Sequence, residues 1–113
     1  MVDASKLVMP RVEKDEARDF REWLRGERLQ FDEAPRHSPA HRQRGNGVEK
    51  GRADFVIPLH GKQCAIELKR ADGGEVREAQ VKWLRKFRKD GGLTAICFGA
   101  VEAIEQVRSW GRP

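Results

Sequence analysis

The chain is 113 residues long, with 38% hydrophobic and 36% charged residues, and carries a formal net charge of +5 from 23 Lys+Arg against 18 Asp+Glu. That length suits one domain rather than two, with a core that needs no disulfide or metal staple, and the apolar share excludes a wholly disordered chain. No apolar run approaches the roughly 18 residues of a membrane span, and the basic balance favours a polyanionic partner, of which nucleic acid is the commonest.

Residues 1–11 read as a loose tail, and residues 12–113 as a single domain. The first ten residues hold no signal-like apolar stretch, so a cytoplasmic location without membrane partners is expected. Residues 12–26 form an amphipathic helix, with Pro10 near its start and Gly26 near its stop. Residues 29–31 are predicted as a short strand. Residues 34–52 are a loop rich in Pro, Gly, Arg and His, in which Arg36, Arg42, Arg44, Lys50 and Arg52 face the single acid Glu49 from Arg36 onward. Residues 53–59 and 62–69 are two strands joined by His60-Gly61, a two-residue hairpin loop. Pro58 cannot donate to a neighbour, so that end of its strand lies at an edge. Residues 76–89 form a second helix, stopped by Asp90-Gly91-Gly92, and residues 93–98 a buried strand. Gly99 opens a last amphipathic helix with Val101, Ile104 and Val107 on one side. This order predicts an α/β fold, a small mixed sheet flanked by helices. Cys64 and Cys97 sit in separate apolar runs, with no Cys-x-x-Cys, and read as buried reduced thiols.

The hairpin carries the sharpest chemical inference. With His60-Gly61 as its loop, Leu59 pairs with Lys62 and Asp54 falls opposite Glu67. Such pairs share a face, with Cβ atoms about 5 Å apart. Alternation then puts Phe55, Ile57, Leu59, Cys64, Ile66 and Leu68 on one face. Asp54, Glu67 and Lys69 form a polar cluster on the other. Two facing carboxylates repel unless Lys69, a shared proton or a divalent cation neutralises them. Two acidic oxygens and a nearby backbone carbonyl are hard ligands suited to Mg²⁺. The competing reading is a solvated strand face with an ordinary Glu–Lys pair.

Each helix adds a polar residue to an otherwise apolar stripe. In the second helix Gln80 falls among Val76, Trp83, Leu84 and Phe87. In the first, Glu16 falls among Val12, Phe20, Trp23 and Leu24, with Glu13 close beside the stripe. A buried polar group is costly unless paired, so both are expected to converge on the sheet's polar cluster. The outer side of the second helix is basic through Arg77, Lys82, Arg85, Lys86, Arg88 and Lys89, and with the 36–52 loop it suits a phosphate backbone.

Gly51-Arg52-Ala53-Asp54-Phe55, then Ala65-Ile66-Glu67-Leu68-Lys69-Arg70, then Glu78-Ala79-Gln80 with Trp83-Leu84 together resemble the virus-type replication-repair nuclease (VRR-NUC) domain of the PD-(D/E)XK nuclease superfamily, over residues 12–110. The resemblance implies a restriction-endonuclease-like αβββαβ core and Mg²⁺- or Mn²⁺-dependent hydrolysis of phosphodiester bonds. It further implies branched or otherwise structured DNA as substrate, in replication, repair or recombination. By motif position, Asp54 and Glu67 would be metal ligands, the Leu68 carbonyl a third oxygen, and Glu16 an acid reaching the metal through water. Lys69 would position the attacking water and Gln80 would orient the site. Arg36, Arg42, Arg44, Lys50, Arg52, Arg70, Lys82 and Lys86 would meet DNA. Ala53 departs from the family, which usually has Pro before the Asp. Small stand-alone members are similar to Holliday-junction resolvases in acting as dimers, so a homodimer is expected, with Phe31 and Trp110 as exposed interface candidates. A non-catalytic nucleic-acid-binding module of the same fold, and an interaction protein with a structural acid pair, are the alternatives.

Overall fold

The computed structural model of the chain describes residues 11–35 and 50–111. The expected tail up to residue 10, and Arg36, His37, His41, Arg42 and Arg44 of the basic loop, lie outside the described residues. Within them, the order is α1 (Glu13–Gly26), β1 (Asp32–Glu33), β2 (Phe55–Leu59), β3 (Lys62–Lys69), α2 (Glu78–Lys89), β4 (Leu93–Phe98) and α3 (Ala100–Gly111). This is the αβββαβ order, with a further helix at its end. No helix among the described residues is long and apolar enough to cross a membrane.

The four strands lie in the order β1-β2-β3-β4. β1, β2 and β3 run antiparallel, and β4 runs parallel to β3 after the crossover through α2. The hairpin register is the expected one, from Leu59↔Lys62 to Phe55↔Ile66. His60 and Gly61 both take positive φ, at 48° and 80°, which supplies the mirror-image turn a two-residue hairpin needs. Pro58 is exposed. Among the described residues β1 covers β2 only at Val56 and Phe55, so the Pro58 end of β2 has no described strand on that side.

Strand alternation divides the protein into layers. Phe55, Ile57, Leu59, Cys64, Ile66 and Leu68 join Phe20 and Leu24 of α1 and Ala103 and Val107 of α3 in the main core. Phe20 meets Phe55 edge-on, with ring centroids 4.9 Å apart. Ala53 and Ala65 face the other way, against Leu84, Trp83 and Phe87 of α2. Cys64 and Cys97 are free and buried, as expected.

Three expectations need correction. The short strand is at Asp32–Glu33, not at 29–31, because Leu29 and Phe31 turn inward to pack on the main core. The chain reaches the β2 edge only afterwards, where Glu33 accepts two hydrogen bonds from Arg21, at 2.6 and 3.1 Å. α1 gives way to this segment through Arg28 at φ 58°, with the Leu29 N–H bonded to the Leu24 carbonyl at 3.0 Å. Phe31 and Trp110, expected as exposed interface candidates, are both half-buried against the main core.

Candidate active site

The polar cluster forms where β2 and β3 part company. The ladder between them ends at Phe55↔Ile66. One residue further, Asp54 turns its side chain inward, and its Oδ2 accepts the Leu68 backbone N–H at 2.8 Å. Asp54 is itself held by its carbonyl, which accepts the Ala34 N–H at 2.8 Å. Glu67 and Lys69, on the α2 side of β3, are 2% and 6% exposed. The Glu67 Oε1 lies 3.9 Å from the Lys69 Nζ.

Gln80 joins these groups. Its Oε1 accepts from Lys69 Nζ at 3.0 Å and from the Arg77 backbone N–H at 2.9 Å, and its Nε2 donates to Glu67 Oε1 at 3.1 Å. Gln80 stands at the third position of α2, so the same amide that orients Lys69 and Glu67 also caps the helix. Neither Leu, which has no polar atom, nor Glu, which has no donor, can make all three contacts.

The Gly-Arg-Ala-Asp run is shaped by packing against the start of α2. Gly51 has φ 80°, and a Cβ there would lie 2.2 Å from the Ala79 carbonyl oxygen and 2.8 Å from the Gln80 nitrogen. The close approach is possible only for glycine. Sequence reasoning noted Gly51 as part of a motif but not that it seats against Gln80's own backbone.

The electrostatics of the cluster are strained. Burial, then the neighbouring Asp54 carboxylate, push Glu67 up from 4.5 to about 9, and the Lys69 ammonium offsets this only in part. Glu67 Oε2 is buried without a hydrogen-bond partner, alone in this among the described residues. A buried carboxyl oxygen without a partner is costly in a folded protein, and a divalent cation that displaced the Glu67 proton would satisfy it. Among the described residues no three of His, Cys, Asp and Glu gather into a metal-binding group. Mg²⁺ keeps several waters and is commonly held by one or two carboxylates. By their chemistry Asp54 and Glu67 are oxygen donors of the kind such an ion takes.

The α1 acids divide differently from expectation. Glu16 is buried, 5% exposed, as its place in the stripe required. Its carboxylate, however, is engaged away from the acid pair: Oε1 accepts from Arg11 Nε at 2.6 Å and Oε2 from the Ala100 backbone N–H at 3.0 Å. Glu13 is the α1 acid whose charge acts on Glu67, raising its pKa further. A helical stripe places both acids on the inward side and cannot choose between them.

The basic residues expected to meet DNA also divide. Arg52 is paired with Asp32 and its side chain is only 20% exposed, so it ties the loop to β1. Arg70 is half exposed and bonds the Gly73 carbonyl at 3.2 Å. Lys50 and Lys86 are exposed. Lys82 is exposed beside Glu78, one helical turn away at 3.2 Å, an arrangement that leaves it open to solvent.

No family model matches the chain, and no curated protein matches it. Among solved structures it is similar to a protein described as "VRR_NUC domain protein", with a TM-score of 0.73 over 91% of this chain and 90% of that one, at 16% identity. With α1 and α3 on one face of a mixed four-stranded sheet and α2 on the other, the chain has the fold of a VRR-NUC domain.

Proposed function

We propose that the protein is a metal-dependent deoxyribonuclease that hydrolyses phosphodiester bonds in branched or otherwise structured DNA. The observation that carries this reading is Glu67: a buried carboxylate with an unpartnered oxygen, held against Asp54 and beside Lys69. A fold does not by itself establish chemistry, and this constellation supplies the chemical argument.

Asp54 and Glu67 would hold Mg²⁺ or Mn²⁺, with the Leu68 carbonyl as a third oxygen and Glu13 adding negative potential from α1. Bound there, the ion supplies Lewis acidity toward the phosphate and lowers the pKa of the attacking water. Lys69 would orient that water with its ammonium and balance charge that builds on the phosphate in the transition state. Gln80 keeps the Lys69 Nζ and the Glu67 carboxylate in register with one another. Exposed Lys50, Arg70, Lys82 and Lys86 would contact the DNA backbone, with Arg36, Arg42 and Arg44 from the loop. A homodimer would match the two-fold symmetry of a four-way junction.

The test is a cleavage panel of four-way junctions, flaps, splayed arms, linear duplex and supercoiled circles, in Mn²⁺ and in EDTA. Cutting in Mn²⁺, abolished by Asp54→Ala and by Lys69→Ala with DNA binding largely kept, is the expected result. Cutting that survives both substitutions refutes the assignment. Salt-sensitive binding with no cutting in Mn²⁺ or, in a repeat of the panel, in Mg²⁺ establishes a non-catalytic binding module instead.

A further inference from the structure

We infer that Glu16 acts as a positioning residue for Lys69, through the start of α3, and is not a ligand of the metal. The inference rests on the nuclease reading above and assigns a role within that same site. Its basis is a junction of four elements. Glu16 of α1 accepts the N–H of Ala100, the first residue of α3, at 3.0 Å. The preceding residue, Gly99, donates its N–H to the Lys69 carbonyl at 2.9 Å. Gly99 has φ 94°, and a Cβ there would lie 2.6 Å from Glu16 Oε2 and 3.0 Å from the Ala71 side chain. The Glu16 carboxylate, the Gly99 turn and the end of β3 therefore fit together only without a side chain at position 99.

Lys69 depends on this junction more than an ordinary strand residue would. It is the last residue of β3, beyond the point where the β2 ladder stops, and among the described residues its sheet partner is Phe98 of β4 alone. The Gly99 N–H thus holds its backbone at the end of the ladder. The Lys69 side chain is fixed at its other end by Gln80. Glu16 sets where Gly99 sits because it satisfies an N–H at the start of α3, where a carboxylate is also favoured by the helix dipole. Arg11, whose Nε lies 2.6 Å from Oε1, offsets the charge buried there. A displacement of about 1 Å in a catalytic group costs on the order of 100-fold in rate, so a residue in this position acts on chemistry without touching the reacting atoms.

The test compares Glu16→Gln, Glu16→Ala and Gly99→Ala in the full chain. Glutamine keeps an oxygen for the Ala100 N–H; alanine removes it. Glu16→Gln is expected to keep most of the wild-type kcat, while Glu16→Ala and Gly99→Ala lose roughly 10- to 100-fold in kcat with the DNA KM and the calorimetric Mn²⁺ affinity unchanged. A second readout is independent of turnover. The buried Lys69 amine should resist acetylation by an N-hydroxysuccinimide ester in the wild type and in Glu16→Gln, and become reactive in Glu16→Ala, as read by peptide mass spectrometry.

Glu16→Gln as inactive as Glu16→Ala, or either variant with Mn²⁺ affinity weakened tenfold, makes Glu16 a ligand and overturns the inference. Unchanged kcat and unchanged Lys69 acetylation in a folded Glu16→Ala protein overturn it as well. If the wild type cuts no DNA yet the acetylation pattern holds, the nuclease reading fails and the positioning of Lys69 by Glu16 stands.

Discussion

Glu67→Gln separates the energetic role of the acid pair from its chemical one. An unfolded Glu67 releases its proton near 4.5, whereas the folded protein holds it to about 9, because burial and then Asp54 oppose the charge. Across that window the folded state binds one more proton than the unfolded state. The contribution to stability is complete below pH 4.5, falls by up to about 1.4 kcal/mol per pH unit, and is lost by about pH 9. Between pH 6 and pH 8 this amounts to at most roughly 3 kcal/mol, or several degrees of melting temperature in a domain of this size. Glutamine has no proton to lose and nearly the same shape. In EDTA the variant should therefore melt above the wild type, by a margin that is smaller at pH 6 than at pH 8. Mn²⁺ should reverse the order: it must displace the proton, so it stabilises the wild type more at pH 8 than at pH 6, and leaves Glu67→Gln unmoved. Thermal melts at pH 6, 7 and 8, with EDTA or Mn²⁺, measure all four cases. Parallel pH profiles for the two proteins, or equal stabilisation of both by Mn²⁺, would refute the reasoning.

Other substitutions probe the supports of the site. Gly51→Ala puts a methyl group 2.2 Å from the Ala79 carbonyl oxygen at a φ of 80°, so it should cost more than about 1 kcal/mol in urea unfolding and lower Mn²⁺-dependent cleavage. Gln80→Leu leaves Lys69 Nζ and the Arg77 N–H without their acceptor, and should reduce kcat by on the order of 100-fold with DNA affinity retained in gel-shift titrations. Cys97 is pushed up to about 12 by burial and then by Glu102, and burial also raises Cys64. Neither thiol should react with a disulfide reagent until the protein is unfolded. For Cys97 the unfolded thiol ionises near 9, so its contribution to stability is lost as pH rises from 9 toward 12, which a C97A variant should lessen in alkaline melts.

Periodicity carried much of the architecture. The register of β2 on β3 follows from a two-residue loop whose length admits one pairing. Alternation along 62–69 then decides which side chains meet α1 and α3 and which meet α2, and so brings Glu67 and Lys69 toward Gln80. These are local quantities, set by the geometry of a strand or helix and by the turn between two of them. The same reasoning placed Glu16 indoors, where it is.

What a helical stripe cannot specify is the object it faces. Glu13 and Glu16 lie on neighbouring parts of one face. Only the docking of α3 against α1 decides that Glu16 meets the Ala100 N–H while Glu13 lies within electrostatic reach of Glu67. Arg52 looked like one more cation of a basic loop until the fold set Asp32 beside it, and Phe31 and Trp110 looked exposed until the core received them. By itself, then, the sequence determined the order of elements, the hairpin register and most of the inward faces, although Val12, Val76 and Val101 of the expected stripes are exposed. Tertiary packing alone decided which polar groups become neighbours, because that depends on contacts between segments far apart in the chain, which no local repeat encodes.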